Sequence, residues 1–314
     1  MSFPLVVVAG PTAAGKSKLA VELALKLNGE IISADSVQLY RYFNIGAGKL
    51  TKQEQKGVPH HLLDILAPDT KFSVAQFQAL ARRKIEEIVG RGKLPFLVGG
   101  TGLYIKAVID PFEFPETDGY EVIRKELREL WSAGKKEQLY RKLQEVDPVS
   151  AEKIHPHDFR RISRALEVYL LTGRPISSYT DQSKKSLYRL EMIGLTRRRE
   201  ELYRRIENRV DKMFADGLLE EVQSILDRGY QPELKPFQTL GYKQVIEYLA
   251  GDCKLAEAMG EAKKETRRYA KRQLTWFRRD GRIHWYLLRE GDDHRQVEER
   301  IIGHLCRSMH LCVE

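Results

Sequence analysis

The chain has 314 residues, enough for one large domain or two ordinary ones with ample core. Its 42% hydrophobic and 31% charged content describes a globular protein in water, and no apolar run reaches the length of a membrane span. The net charge of +9 favours an anionic partner. The three cysteines, Cys253, Cys306 and Cys312, lack the spacing of a disulfide framework or zinc site and, with no basic leader, point to a cytoplasmic protein.

Residues 5–9, Leu-Val-Val-Val-Ala, read as a buried strand, and residues 18–25 read as a helix with apolar positions at helical spacing. Between them lies Gly10-Pro11-Thr12-Ala13-Ala14-Gly15-Lys16-Ser17, a G-x-x-x-x-G-K-[ST] phosphate-binding loop. Its glycines let successive N–H groups curl around a phosphate, and the helix N-terminus behind it adds partial positive charge. Lys16 can reach a terminal phosphate, and the Ser17 hydroxyl can ligate Mg²⁺. The loop implies a di- or triphosphate, without saying whether that group belongs to a nucleotide.

Residues 30–34 read as a second strand, ending on Asp35. In a doubly wound sheet this carboxylate lies beside the phosphate loop, as a general base or an aid to the metal. The alternative is an Asp that caps the next turn. Ser73-Val74-Ala75-Gln76 is a capping box that opens a helix to about residue 89, and residues 94–98 read as another buried strand. Gly99-Gly100-Thr101-Gly102 follows at its C-terminal end, where open α/β sheets bind ligands. It reads either as a flexible turn presenting the Thr101 hydroxyl or as a plain strand-to-helix turn. Gly-Gly stands where many P-loop ATPases carry a Walker-B acid, which weakens an ATPase reading. His60-His61 and His155-Pro156-His157 lack metal-ligand spacing and read as hydrogen-bonding groups.

Composition changes at residues 111–115, which read as a linker, and 116–185 reads as a helical insertion with helices over 120–144 and 158–171. The chain returns to the sheet at 191–195. Helices at about 197–214, 217–228, 240–249 and 253–279 follow, then a last strand at 283–288. The fold class is therefore α/β, a P-loop NTPase-like parallel sheet core flanked by helices. The core spans 1–115 and 186–314, with an α-helical insertion between its two parts.

Three basic clusters stand out. Lys263, Lys264, Arg267, Arg268, Lys271, Arg272, Arg278, Arg279 and Arg282 are interleaved with Tyr269, Trp276 and Phe277. Helical spacing puts Lys264, Arg268 and Arg272 on one face, with Ala262, Thr266, Tyr269, Gln273 and Phe277 toward the core. Arg160, Arg161 and Arg164 form a second cluster; Arg197, Arg198, Arg199, Arg204, Arg205 and Arg209 form a third. Only Glu265 and Asp280 interrupt the first, so it reads as a surface for a phosphate backbone, and the three together suggest a groove for a long polyanion.

The ordered set of motifs resembles the tRNA dimethylallyltransferase (IPP transferase) family along nearly the whole chain. The matching segments are GPTAAGKS at 10–17, ADSVQ at 34–38, HHLLD at 60–64, LVGGTGLY at 97–104, RALEVY at 164–169, TLGYKQ at 239–244 and AKRQLTWFR at 270–278. The resemblance implies transfer of a dimethylallyl group from dimethylallyl diphosphate to N6 of the tRNA adenosine beside the anticodon, with Mg²⁺. It places the diphosphate on the loop from Gly10 to Ser17, with Ser17 on the metal. Lys16 and an arginine would steady the leaving group, Asp35 would take the N6 proton, and Thr101 would position substrates. That arginine corresponds to Arg209, with Arg205 one turn earlier as its rival. Contacts to the tRNA anticodon stem-loop fall on Asp35, Ser36, Val37 and Gln38, on Arg160, Arg161, Ile162, Ser163 and Arg164, and on Gln238, Thr239, Leu240, Gly241, Tyr242 and Lys243. The residues alone also admit a P-loop kinase of a nucleoside or other small molecule, or a nucleotide-regulated RNA-binding protein. No obligate protein partner is indicated.

Overall fold

The computed structural model describes residues 3–114, 120–179 and 186–310. Its strands are β1 (Pro4–Ala9), β2 (Gly29–Ala34), β3 (His60–His61), β4 (Leu94–Gly99), β5 (Arg189–Arg197) and β6 (Ile283–Leu288). They form one all-parallel sheet in the order β3-β2-β4-β1-β5-β6. The helices are α1 (Lys16–Lys26), α2 (Val74–Gly90), α3 (Gly102–Ile109), α4 (Tyr120–Ser132), α5 (Lys136–Val146) and α6 (Pro148–Ala151). They continue with α7 (Phe159–Thr172), α8 (Arg199–Ala215), α9 (Leu218–Asp227), α10 (Tyr242–Leu249), α11 (Leu255–Phe277) and α12 (His294–Met309).

Both faces of the central strand β1 are covered, which is why it reads as an unbroken apolar run. Leu5, Val7 and Ala9 enter the core beneath α2, α3, α9 and α10, whereas Val6 and Val8 enter the core beneath α1 and α12. Doubly wound parallel sheets carry their ligands beyond the C-terminal strand ends, and here Gly10, Asp35 and Gly100 follow β1, β2 and β4 at that end. The Ser73 capping box is formed, its hydroxyl accepting from the Gln76 amide. His60-His61 is a two-residue edge strand that period-based reading passes over, being too short to show alternation. His60 Nδ1 lies 2.8 Å from the Val58 carbonyl and His61 Nε2 lies 2.7 Å from Glu30.

The chain divides into two compact units, one of residues 1–109 with 186–314 and one of residues 110–185. The second is helical, with Leu127, Leu139, Leu143, Ile162, Ala165 and Leu166 at its core. Within it Glu167, 1% exposed, receives a bidentate hydrogen bond from Arg124. Asp147 caps α6 through the Ser150 amide and also accepts from the Ser177 amide. Pro115, the insertion boundaries at 116–119 and 180–185, and Cys312 lie outside the described residues. Among the described residues no helix is long and apolar enough to cross a membrane.

Candidate active site

The loop from β1 to α1 turns on two glycines. Gly15 has a φ of 106° and Gly10 a φ of 139°. A Cβ at Gly10 would stand 2.3 Å from the Leu195 carbonyl oxygen, so conformation and space both demand glycine there. No side chain caps α1, which leaves its first N–H groups for an anion.

Side chains from distant elements hold this loop from behind. Gln273 accepts from the Thr12 amide at 2.9 Å and donates to the Gly100 carbonyl at 2.9 Å, tying the loop to the end of β4. Arg197, buried and paired with Glu201, donates to the Ala14 carbonyl at 3.2 Å. Arg205 donates to the Ala13 carbonyl at 3.0 Å.

Lys16 and Arg209 present their charges to one cavity. Burial and the Arg209 charge bring the Lys16 pKa down to about 7, against the opposing pull of Asp35. Arg209 is likewise lowered by burial, again opposed by Asp35. Its guanidinium makes no hydrogen bond or ion pair among the described residues, unlike that of Arg205. Two desolvated cations held together lose least when an anion lies between them. Asp35 uses one oxygen as a turn cap, Oδ1 accepting from the Val37 and Gln38 amides at 2.8 and 3.4 Å. Its Oδ2 has no partner among the described residues. Thr101 Oγ1 accepts from the Ser36 amide at 3.3 Å. Tyr269 lines the cavity beside Thr101 and Gln273; burial, then the Asp35 charge, push its pKa up to about 12.

The cavity measures about 1240 Å³ and is lined by Thr12, Lys16, Ser17, Asp35 to Gln38, Arg209, Thr239 and Tyr269, among others. Gly46, Ala47 and Gly48 also line it, from the loop 44–48 that pattern reading leaves unassigned. Glu221 on α9 accepts from the Asn44, Ile45 and Gly46 amides at 3.0, 2.8 and 3.4 Å, and from the Tyr242 hydroxyl at 2.7 Å. Tyr242 in turn accepts from the Ala47 amide, and Gln38 donates to the Ala47 carbonyl. A Cβ at Gly48 would come within 1.8 Å of the Arg209 guanidinium, so this glycine makes the seat for that arginine.

Several expectations need amending. The glycines of Gly99-Gly100-Thr101-Gly102 are also required by packing: a Cβ on Gly99, Gly100 or Gly102 would meet the Ala34 carbonyl, the Gln273 amide or the Trp276 indole at 2.1–2.2 Å, while Gly99 and Gly100 line the cavity. Close packing of β2 and α11 requires them. Tyr242 and Ile162 are fully buried and Ser163 almost so, which leaves Gln238, Lys243, Arg160 and Arg161 with exposed side chains and Thr239, Leu240 and Arg164 with partly exposed ones. The run on α11 is less free than its sequence suggests. Lys263 pairs with Asp211, Lys264 with Glu261, Arg267 with Glu207, Arg268 with Glu265 and Arg282 with Asp280. Lys271, Arg272, Arg278 and Arg279 have no ion pair among the described residues.

The family model described as "IPP transferase" matches residues 38–280, and that described as "Isopentenyl transferase" matches residues 3–66. The chain belongs to the IPP transferase family. A tRNA dimethylallyltransferase of Carboxydothermus hydrogenoformans is 52% identical over 288 residues, covering 91% of this chain and 92% of its own. One of a Thermoanaerobacter species is 47% identical over 315 residues, covering 99% and 100%. Among solved structures, a tRNA isopentenylpyrophosphate transferase of Bacillus halodurans superposes with a TM-score of 0.73 at 45% identity, covering 98% of each chain. A eukaryotic dimethylallyltransferase solved acting on tRNA gives a TM-score of 0.82 at 29% identity, covering all of this chain and 81% of its own.

Proposed function

We propose that this chain transfers a dimethylallyl group from dimethylallyl diphosphate to N6 of adenosine 37 in tRNA, releasing diphosphate, in the cytoplasm. The observation that carries the reading is the meeting of an uncommitted Asp35 oxygen with Lys16 and Arg209 in one cavity that a phosphate loop floors.

Dimethylallyl diphosphate breaks its C–O bond readily because allylic positive charge is delocalised, so the departing diphosphate is what needs support. The loop amides, Lys16 and Arg209 supply fixed positive charge where the negative charge develops. Arg209 fits that task better than Arg205, whose Nε–H is taken by the Ala13 carbonyl. Ser17 lines the cavity, its hydroxyl without a hydrogen-bond partner among the described residues, and with diphosphate oxygens it would give Mg²⁺ the hard oxygen ligands it prefers. Bound there, Mg²⁺ supplies further positive charge to the diphosphate. The adenine N6 is a poor nucleophile until its proton leaves. Asp35 Oδ2 takes that proton as the N–C bond forms, while Oδ1 stays anchored to the turn. Tyr269 remains protonated and, with Thr101, lines up hydrogen-bonding groups beside Asp35. Adenosine 37 must unstack to reach this cavity, at a cost of a few kcal/mol, which contacts from Gln238, Thr239, Lys243, Arg160 and Arg161 to the anticodon stem-loop offset.

The test is one incubation of unmodified tRNA with labelled dimethylallyl diphosphate or labelled ATP, with a tRNA carrying guanosine at position 37 as control. Label should pass from the prenyl donor to the adenosine tRNA alone. Phosphate passing from ATP to a small acceptor would overturn the reading in favour of a kinase, and no transfer from either donor in favour of an RNA-binding protein.

A further inference from the structure

Away from this cavity, three side chains with metal-ligating atoms converge from three elements: Glu191 on β5, His284 on β6 and His304 on α12. None of them lines the cavity. The register pairs Ile193 with His284, so Glu191, two residues before Ile193, shares the sheet face on which His284 stands. The same face carries Ile193 and Leu195, and α12 packs on it through Val297, Ile301 and Leu305. That packing brings His304 over Glu191.

His304 Nε2 lies 3.0 Å from Glu191 Oε2, and His284 Nε2 lies 3.9 Å from the same oxygen. The two imidazoles are 4.5 Å apart, and one donor atom from each residue falls within 4.8 Å of the others. Ligands at about 2.0–2.2 Å from a tetrahedral Zn²⁺ stand roughly 3.2–3.6 Å from each other. The present separations of 3.0 and 3.9 Å bracket that span, so small rotations suffice, chiefly of the exposed His284. Two imidazoles and a carboxylate suit Zn²⁺ and its neighbours rather than Mg²⁺.

We propose that Glu191, His284 and His304 bind one divalent transition-metal ion of the Zn²⁺ class, which fastens α12 to the edge of the sheet. Three protein ligands leave a fourth position for water. A cross-link between β5, β6 and the last described helix stabilises the fold without touching the transfer chemistry.

The test is a Co²⁺ titration of the full chain with excess Mg²⁺ present, followed by the visible d–d bands of the bound ion. One equivalent should give the intense bands of low-coordinate Co²⁺, and Zn²⁺ should displace it. His284→Ala is the variant of choice, since that side chain is 57% exposed and its loss leaves the core intact. It should weaken Co²⁺ binding by more than the 10–100-fold typical of losing an outer-shell partner. It should also abolish the rise in thermal midpoint that Zn²⁺ gives the unaltered chain, with prenyl transfer unchanged. Bands or a Zn²⁺-dependent midpoint that persist in both His284→Ala and His304→Gln overturn the site, as does an unaltered chain showing neither.

Discussion

Asp35 meets two demands with one carboxylate. Oδ1 caps the turn that follows β2, while Oδ2, on a residue that lines the cavity, has no partner among the described residues. Replacing the side chain by its amide keeps the cap and removes the base. Asp35→Asn should therefore lower the prenyl-transfer rate by about 10²–10⁴, with diphosphate affinity retained in a binding titration; an unaltered single-turnover rate would sink the assignment. The two arginines can be separated in the same way. Arg209 has no hydrogen bond or ion pair among the described residues, whereas the Arg205 Nε–H is taken by the Ala13 carbonyl. Arg209→Gln should weaken diphosphate binding by about 2–4 kcal/mol, and Arg205→Gln by a small fraction of that, measured by calorimetry on both variants. Equal losses would return the pair to an open choice.

At the scale of elements, the cavity wall depends on contacts that cross most of the chain. Glu221 gathers three amides of the loop 44–48 and the Tyr242 hydroxyl, and this loop carries the Gly48 seat for Arg209. Glu221→Gln keeps the shape and weakens charge-assisted bonds worth about 1.5–3 kcal/mol. It should raise KM for dimethylallyl diphosphate about tenfold while leaving kcat within about threefold, since the cost falls on placing Arg209 rather than on the base. A collapse of kcat with unchanged KM would refute that division. A second long-range knot ties the edge strand β3 into the sheet. Desolvation opposes the Glu30 charge, but Arg91, His61 and Lys93 outweigh it and hold the pKa down at about 2. Because the folded value lies below the ordinary 4.5, the carboxylate stabilises the fold above about pH 4.5 and loses that effect as pH falls toward 2. Glu30→Gln should cost on the order of 2 kcal/mol at pH 7, discounted because Arg91 and Lys93 are partly exposed. The difference in thermal midpoint from the unaltered chain should shrink from pH 4.5 downward; a constant difference would contradict the linkage. These knots mark what the sequence could tell. The phosphate loop, Asp35 and the Ser73 cap were legible because each is a local device whose residues lie within a few positions of one another. Glu221, Gln273 and the Gly99-Gly100 contacts were not, because their partners are brought together only by the sheet and by α11.

Across the whole molecule, the net charge of +9 overstates the surface open to a polyanion, because folding brings acids to the basic run. Asp211 and Glu207 on α8 neutralise Lys263 and Arg267 on α11. Lys271, Arg278 and Arg279, nearer the C-terminal end of that helix, are exposed without ion pairs among the described residues. A cation already paired within the protein releases few counterions when a phosphate approaches, whereas a free one releases nearly its full share. The two groups should therefore act differently on the salt dependence of tRNA binding. Removing three free cations should flatten the plot of log affinity against log salt by about two to three, at about 0.7–0.9 per phosphate contact. The triple variant Lys271→Ala, Arg278→Ala, Arg279→Ala should show that change. The double variant Lys263→Ala, Arg267→Ala should keep nearly the original slope, even though it removes almost as much positive charge. Filter binding of unmodified tRNA across a salt series distinguishes the two, and a slope that tracks total charge removed, regardless of pairing, would refute the argument.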